Sequence, residues 1–374
     1  MRRLGLLLGL FMVAWPMVAE AGDYAMLSPL TGTGYEHYYH ARVTATGPNR
    51  SVVVRLLEGP RRGQTINIPA DRTALIERTP LPVGAEVVLG VPPRAPDTPE
   101  SYFLIDHYRL GTYAWLAAGF VALAIGIGRW RGFTALVGLA VSFGIIALWI
   151  IPGIIRGNNP FTTCLTGTFM IAGASLYLAH GFNRRTSLAL VATVATLLAG
   201  TALSLIAVGA ANLTGLAGEG AAALAFQAAP GLDLQGLLLG GMMIGVLGIL
   251  DDITTAQVAV VAQLHEANAA LSAAELYRRG LRVGQEHIAS LINTLVLAYA
   301  GASFSLLVFL AVHPAMPLFM TLNNELIGEE VIRTLVGGAA LVAAVPLATV
   351  LAAYILPRLP RRALMPEWWP RTHR

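Results

Sequence analysis

The sequence predicts an α-helical polytopic membrane protein. It reads as a seven-helix transmembrane bundle, eight helices if the N-terminal segment stays uncleaved, preceded by a small extracytoplasmic all-β domain resembling an OB-like barrel. Three observations predict it. The 374 residues are 55% hydrophobic and only 12% charged, against about 25% charged in a soluble globular chain. The apolar residues come in long runs. The arginines that interrupt those runs fall almost entirely in alternate loops.

The N-terminus begins Met1-Arg2-Arg3, continues as an apolar stretch from Leu4 to Ala19, and reaches Ala19-Glu20-Ala21. A charged start, an apolar core and an A-x-A pattern are the parts of a secretory signal. The run is short for a spanning helix, which needs about 20 residues. Residues 1–21 are therefore expected to be a signal peptide or an N-terminal anchor, and the domain after them is expected to be exported.

Residues 22–108 contain no spanning stretch. Short alternating runs replace it: 41–46, 51–57, 64–69, 85–91 and 101–106. Val52, Val54 and Leu56 alternate with Val53 and Arg55, so one face is buried and the other wet. Gly59-Pro60-Arg61-Arg62-Gly63 marks a turn between two runs. Five short strands in this length suggest the small OB-like barrel. Such barrels often bind nucleic acid, but this one is expected outside the cytoplasm. Its arginines are balanced by Asp71, Glu77, Glu86, Asp97 and Glu100, and no row of aromatics offers a stacking platform. No nucleic-acid partner is expected; docking or scaffolding is the plain reading.

Seven apolar stretches come next, at about 111–128, 133–155, 161–181, 187–209, 235–256, 288–312 and 331–356. With the β-rich domain outside, the inner loops hold Arg129, Arg131, Arg184, Arg185, Arg278, Arg279 and Arg282, and the tail 359–374, with Arg358 just before it, adds Arg361, Arg362, Arg371 and Arg374. The outer loops hold only Arg156 and Arg333. Translocating arginine is costly, so the expected location is the inner membrane with a cytoplasmic C-terminus. The bundle is expected to occupy 109–358. Segment 210–234, rich in Gly and Ala and closed by Pro230-Gly231, is too broken to span; an outer surface helix or a re-entrant loop fits it.

Candidate functional residues concentrate between 234 and 305. On the fifth stretch Gly241, Gly245, Gly248, Asp252, Ala259 and Gln263 lie within about 40° of Asp252 at 100° per residue. Small residues allow close helix approach in lipid, so this stripe is expected to face the bundle and take Asp252 with it. Asp251 sits about 100° round, with Thr255 between the two. Carboxylates in a span cost about 2.5–3.5 kcal/mol each at mid-bilayer and are functional candidates by default. The plain reading is that both acids lie near the headgroups and Asp251 simply snorkels.

Residues 265–287 read as a cytoplasmic amphipathic segment. Ser272-Ala273-Ala274-Glu275 is a capping-box start, Leu276, Gly280, Val283 and His287 share a face, and Arg278, Arg279 and Arg282 surround the rest. Those arginines serve equally well as simple interfacial anchors. Beyond them His287, Ser290, Thr294, Ala298, Gly301 and Ser305 form a second small and polar seam, with Asn293 about 100° off it. The seam is expected either to be interhelical glue, worth about 0.6 kcal/mol per bond, or to line a hydrated path. A histidine at this position is more often interfacial than functional. Asp252 with Thr294 or Asn293 and His287 is the combination of interest, and Gly241, Gly245, Gly248 and Gly301 are the expected packing glycines.

The stretch Gly245-Val-Leu-Gly-Ile-Leu-Asp-Asp-Ile-Thr-Thr-Ala-Gln257 resembles the signature of the YibE/F-like family of bacterial membrane proteins. So do Leu276-Tyr-Arg-Arg-Gly-Leu-Arg-Val-Gly284, His287-Ile-Ala-Ser290 and Asn293-Thr-Leu-Val-Leu-Ala-Tyr-Ala-Gly-Ala302. The order of parts also matches, so the resemblance covers nearly the whole chain. Where this chain has Asp251-Asp252, some members resemble Asn-Asp or Met-Asp, which favours Asp252. The resemblance implies an architecture and no agreed activity.

Two function classes remain. One is a permease moving a small solute or ion with Asp252 in the path, although no internal repeat of the transporter kind is visible. The other is a non-transport scaffold or sensor that couples the exported domain to a membrane-protein partner or to a second copy of the chain. An enzyme is not expected: the chain has no H-E-x-x-H, no G-x-S-x-G and no phosphate loop. The lone Cys164 excludes a disulfide framework and a cysteine-based metal site. Asp252 and His265 lie over 100° apart on one helix, so no metal site and no cofactor is expected.

Overall fold

Alternation of buried and exposed side chains builds the first part of the chain. The computed structural model describes residues 35, 37–47, 51–73, 81–93, 95–96, 98–217, 219–225, 231–312 and 317–358. The expected signal or anchor, 1–21, and the tail 359–374 lie outside them. Strands β1 (His37–Thr46), β2 (Val52–Leu56), β3 (Thr65–Ile68), β4 (Glu86–Val91) and β5 (Phe103–His107) form one antiparallel sheet in the order β3-β2-β1-β4-β5. Thr73, just past β3, makes a single parallel bridge to Leu104 of β5, bringing the two edges of the sheet together.

Val52, Val54 and Leu56 point inward and join Ala41, Val43, Ile66, Ile68, Val87, Leu89, Leu104 and the fully buried Tyr102 in one core. Each large apolar side chain so buried is worth about 1.5–3 kcal/mol. The β2–β3 turn needs glycine at Gly59: its φ is +89°, and a Cβ there would sit 2.4 Å from the Tyr39 ring. Across the β1–β4 pair, Arg42 donates to Glu86 at 2.6 Å and His40 lies 3.2 Å from the same carboxylate. The hydrogen bond from Arg42 holds Glu86 below the usual carboxylate range. One detail departs from expectation: Tyr35 packs on Tyr38 and Phe103, with the Arg72 guanidinium 5.9 Å from the Phe103 ring, so a small aromatic cluster does exist on this sheet.

The helices come after the sheet: α1 (Leu110–Ile145), a single π turn (Ile146–Ile150), α2 (Ile151–Ile155), α3 (Pro160–His180), α4 (Arg184–Ala210), α5 (Glu219–Ala223), α6 (Leu234–Ala267), α7 (Ala273–Ala302), α8 (Phe304–Ala311), α9 (Leu318–Leu322) and α10 (Glu325–Ile355). The chain divides into two compact units with the boundary after Gly126. Five stretches are long and apolar enough to cross a membrane: Leu110–Ile155, Pro160–His180, Arg184–Ala210, Leu234–Ala267 and Glu325–Arg358.

The difference from seven has two local causes. The expected spans 111–128 and 133–155 lie in one 46-residue stretch, which is two helices broken at Arg129, where φ is +51° and ψ −130°. That region is uncommon for a residue with a Cβ. The expected span 288–312 is divided between α7 and α8, and the amphipathic segment and the first part of that span form one continuous helix to Ala302. Nothing in 273–302 stops it: Gly280 and Gly284 are packing positions, and no proline intervenes. Its start is as expected, with the Ser272–Glu275 capping box formed in both directions.

Helix α6 is the centre of the bundle and packs against α3, α4, α7 and α10. Its buried face carries Leu239, Met242, Met243, Val246, Leu250, Ile253, Thr254, Gln257 and Val261. Thr254 and Thr193 of α4 share a 2.7 Å hydrogen bond. Gln257, 0% exposed, donates through Nε2 to the Gly280 carbonyl of α7 and to Thr349 Oγ1 of α10, both at 2.7 Å. The helix ends are tied as well. Asn159 donates to Asp233, Gln235 to the Leu213 carbonyl, and Glu325 accepts from Thr214 and Gly215; Arg185 pairs with Glu266 at the other end of α6.

Two outcomes are expected from this packing. A Cβ on Gly284 would lie 2.3 Å from Val345 Cγ1 and 3.0 Å from the Gln257 amide, so Gly284→Ala should cost about 1–3 kcal/mol by overpacking and lower the thermal midpoint of the purified chain. Gly241→Ala, with nothing within 4 Å, should be neutral or slightly stabilising; equal effects of the two would refute the α6–α7–α10 packing. For the sheet, Glu86 has a depressed folded pKa, so its contribution is present above the ordinary glutamate range and fades as pH falls through the folded value. Protection factors of the β1–β4 amides, corrected for the intrinsic pH dependence of hydrogen exchange, should therefore fall on acidification, and Glu86→Gln should flatten that dependence.

Candidate functional site

A helix in a membrane is apolar on every side, so its sequence pattern does not say which face is buried. The stripe Gly241, Gly245, Gly248, Asp252, Ala259 and Gln263 illustrates this. It lies roughly opposite the buried face of α6, and Gly241, Gly248, Asp252, Ala259 and Gln263 are all exposed. A Cβ on Gly241, Gly248 or Gly301 would meet nothing within 4 Å, and one on Gly245 would meet only the Tyr299 hydroxyl at 3.3 Å. The packing role expected for this stripe is corrected: large side chains fill the buried face. The glycine of α6 that does permit close approach is Gly240, whose Cβ would lie 2.4 Å from Cys164 Sγ on α3.

The stripe instead borders a cavity of about 880 Å³. Its walls come from the second half of α1 (Trp130, Arg131, Thr134, Ser142, Phe143), from α3 (Ile171, Ser175, Leu178, His180), from the start of α4 (Arg185, Thr186, Ala189) and from α6 (Ile244, Leu247, Gly248, Asp251, Asp252, Thr255, Ala259). Three expected site residues, Asp251, Asp252 and Thr255, therefore share one space. Asp251 is turned inward: its Oδ2 accepts from Ser175 Oγ at 2.7 Å, while Oδ1 is enclosed without a hydrogen-bond partner. Asp252 is exposed on the cavity side. Thr255 spends its hydroxyl on the Asp251 and Asp252 carbonyls, at 2.8 and 3.0 Å, so it shapes the helix rather than the carboxylates.

Helix α6 runs 34 residues, about 51 Å at 1.5 Å per residue, and Asp251 and Asp252 fall near its middle. A carboxylate in an apolar span is costly unless a partner or water reaches it; Ser175 is the partner of Asp251.

His287, Asn293 and Thr294 are not brought to this space. Asn293 and Thr294 are exposed on α7, and Thr294 donates to the Ser290 carbonyl. His287 is half-buried with Nδ1 enclosed and unpartnered. The expected combination of these residues with Asp252 is corrected, because α7 turns Leu276, Gly280, Gly284 and Leu295 toward the core, leaving the polar seam outside. Ser175 and Gln257 were missed by sequence reasoning. Gln257 closes the quoted 245–257 motif and is the one amide on the buried face of α6; Ser175 carries no signal before the fold places it beside Asp251. Among the described residues, no group of three or more His, Cys, Asp or Glu is placed to hold a metal ion.

The family model of YibE/F-like proteins matches residues 116–358, which include the cavity walls and both acids. No curated protein and no solved structure matches the chain.

The geometry separates the two acids, and a double-mutant cycle reads the separation. Ser175→Ala and Asp251→Asn should be coupled by about 1 kcal/mol or more in thermal or denaturant stability, as expected for a hydrogen bond to a carboxylate. Ser175→Ala and Asp252→Asn should be additive within about 0.5 kcal/mol. The reverse pattern would place the wrong carboxylate against Ser175.

Proposed function

We propose a permease-like function for this chain, which belongs to the YibE/F-like protein family: it moves a small solute or ion through the cavity beside α6, with Asp252 in the path and Asp251 on its inner wall. One observation carries the reading. A membrane-class helix places two adjacent carboxylates at mid-length on a cavity of about 880 Å³, where the cost of a charge is acceptable only if the space serves something polar. The reading involves no bond-making step and no resident cofactor, and it works with the bilayer as partner, in a single copy or a homo-oligomer alike.

The orientation that suits this function is the inner membrane, with the β-rich domain outside and the C-terminus in the cytoplasm. The hydrogen bonds that tie Asn159 to Asp233, Leu213 to Gln235 and Thr214 to Glu325 gather one set of helix ends. The Arg185–Glu266 pair marks the other. Seven passes, counting the two halves of the Leu110–Ile155 stretch separately and α7 with α8 as one, agree with that division and keep the arginine-rich loops inside. The sheet order, with its bridge between the edge strands, supports an OB-like barrel.

The separate core of the sheet favours a second reading, a scaffold or sensor that couples that domain to a partner or to another copy. Reconstitution in liposomes with encapsulated dyes for protons, Na⁺ and Mg²⁺ distinguishes the two. The permease reading expects flux above empty liposomes that falls about 10-fold or more in Asp251→Asn and Asp252→Asn, the loss of roughly 1.4 kcal/mol of interaction. Equal flux from all three proteins would sink the role of the acids. Flux equal to empty liposomes for every probe, in this assay and with organic solutes, would favour the scaffold.

A further inference from the structure

The cavity beside α6 has a size, a wall chemistry and a charge, and together they narrow what it takes. At about 880 Å³ it exceeds what a bare ion needs, since one water occupies about 30 Å³ of liquid; it falls in the range of about 300–1,000 Å³ that holds drug-sized ligands.

Its walls are mostly apolar. Leu139, Phe143 and Trp130 of α1 line it and are themselves 41%, 55% and 69% exposed. The α1 wall is thus thin, one helix with side chains reaching both the cavity and the surroundings. An apolar body meets matching side chains along this wall, whereas a hydrated ion meets no continuous polar lining there.

The charge inside is acidic at the deep point. Asp251 Oδ1 is enclosed and takes no hydrogen bond, and Asp252 is exposed to the same space. Cations share the wall: Arg185 is engaged by Glu266, and His180 and Arg131 also line it, so Asp251 and Asp252 are the anionic end of the space rather than its whole charge. Among the described residues no group of three or more His, Cys, Asp or Glu is placed to hold a metal ion, so the wall does not offer the all-protein oxygen cage that a bare cation such as Ca²⁺ takes. An organic cation takes the charge and fills the apolar remainder with its own body.

We infer that the substrate class is a cationic amphiphile of drug-like size, held with its positive group at Asp251 and Asp252 and its apolar part against α1 and α3. The inference rests on the permease reading and deepens it.

The test uses the full chain in nanodiscs of zwitterionic lipid, with radiolabelled tetraphenylphosphonium as the cationic probe and tetraphenylborate as its anionic counterpart. Empty nanodiscs supply the background. The inference expects saturable tetraphenylphosphonium binding above background, no saturable tetraphenylborate binding, and at least a 10-fold weaker affinity in Asp251→Asn. Gly248→Leu provides a second variant in case Asp251→Asn folds poorly. A Cβ there meets no neighbour within 4 Å, so the fold should hold while the space beside Asp252 narrows and the affinity drops. Absence of saturable binding, or binding that neither variant weakens, overturns the inference. If Na⁺ or Mg²⁺ flux depends on Asp251 while tetraphenylphosphonium does not bind, the amphiphile falls and the permease reading stands. If neither binding nor any flux is seen, both fall.

Discussion

The rotation of α6 about its own axis decides everything that faces the cavity, and Gln257 sets that rotation. Its amide is fully buried and donates to Gly280 of α7 and to Thr349 of α10. A buried amide that loses its partners costs about 1–3 kcal/mol, so α6 turns where both bonds form. Thr254 bonds Thr193 of α4 on the same face. With that face fixed, Asp251 comes round to Ser175 and Asp252 to open space. A turn of about 100°, one residue's worth, in either direction would replace one acid by another residue and dissolve the pair. The close contacts at Gly280 and Gly284 belong to the same constraint, because only residues without a Cβ let α7 come close enough for the Gln257 bonds.

Much of the architecture was legible in the sequence. The alternation of Val52, Val54 and Leu56 gave the buried face of β2, the glycines flanking Pro60 gave the turn, and Ser272 with Glu275 gave the start of α7. These signals are local: period two, a positive φ, a capping box. The membrane class and the family were equally readable, from long apolar runs and from the 245–257 and 276–302 stretches. The burial of the helices was not. In α6 both faces are apolar or small, so the glycine stripe and the face bearing Met242, Met243 and Leu250 were equally eligible to be inside. Side-chain volume settles the matter, because the core between α3, α4 and α10 needs filling and a glycine row fills nothing. The division of the expected span 288–312 into α7 and α8 near Ser303 was not legible, because no proline marks the break.

The candidate site therefore joins residues of two origins. Asp251, Asp252 and Thr255 are adjacent in the chain and visible as an anomaly in an apolar run. Ser175, His180, Arg131 and the aromatic wall of α1 reach them only through the fold. That wall separates this cavity from a buried salt bridge or a structural polar network: an acid kept only for packing would be enclosed on all sides and paired on both oxygens. Asp251 is paired on one oxygen, and its neighbour is open. The seam on α7 shows the other outcome. Thr294 and Asn293 face away from the core and from both acids, so the same kind of polar pattern marks a surface there and a lined space on α6.

Whether water enters the space beside α6 is the question on which the site depends, and cysteine accessibility answers it directly. Asp252→Cys and Ala259→Cys, placed singly in the full chain in membranes, border the cavity, whereas Thr294→Cys lies on the outward face of α7. The native Cys164 is buried at 2% exposure and contributes little background. A water-soluble maleimide should label positions 252 and 259 and leave 294 unreacted. Failure to label 252 and 259, in protein that retains its wild-type elution and melting, would mean a dry groove filled by lipid and would contradict the proposed path.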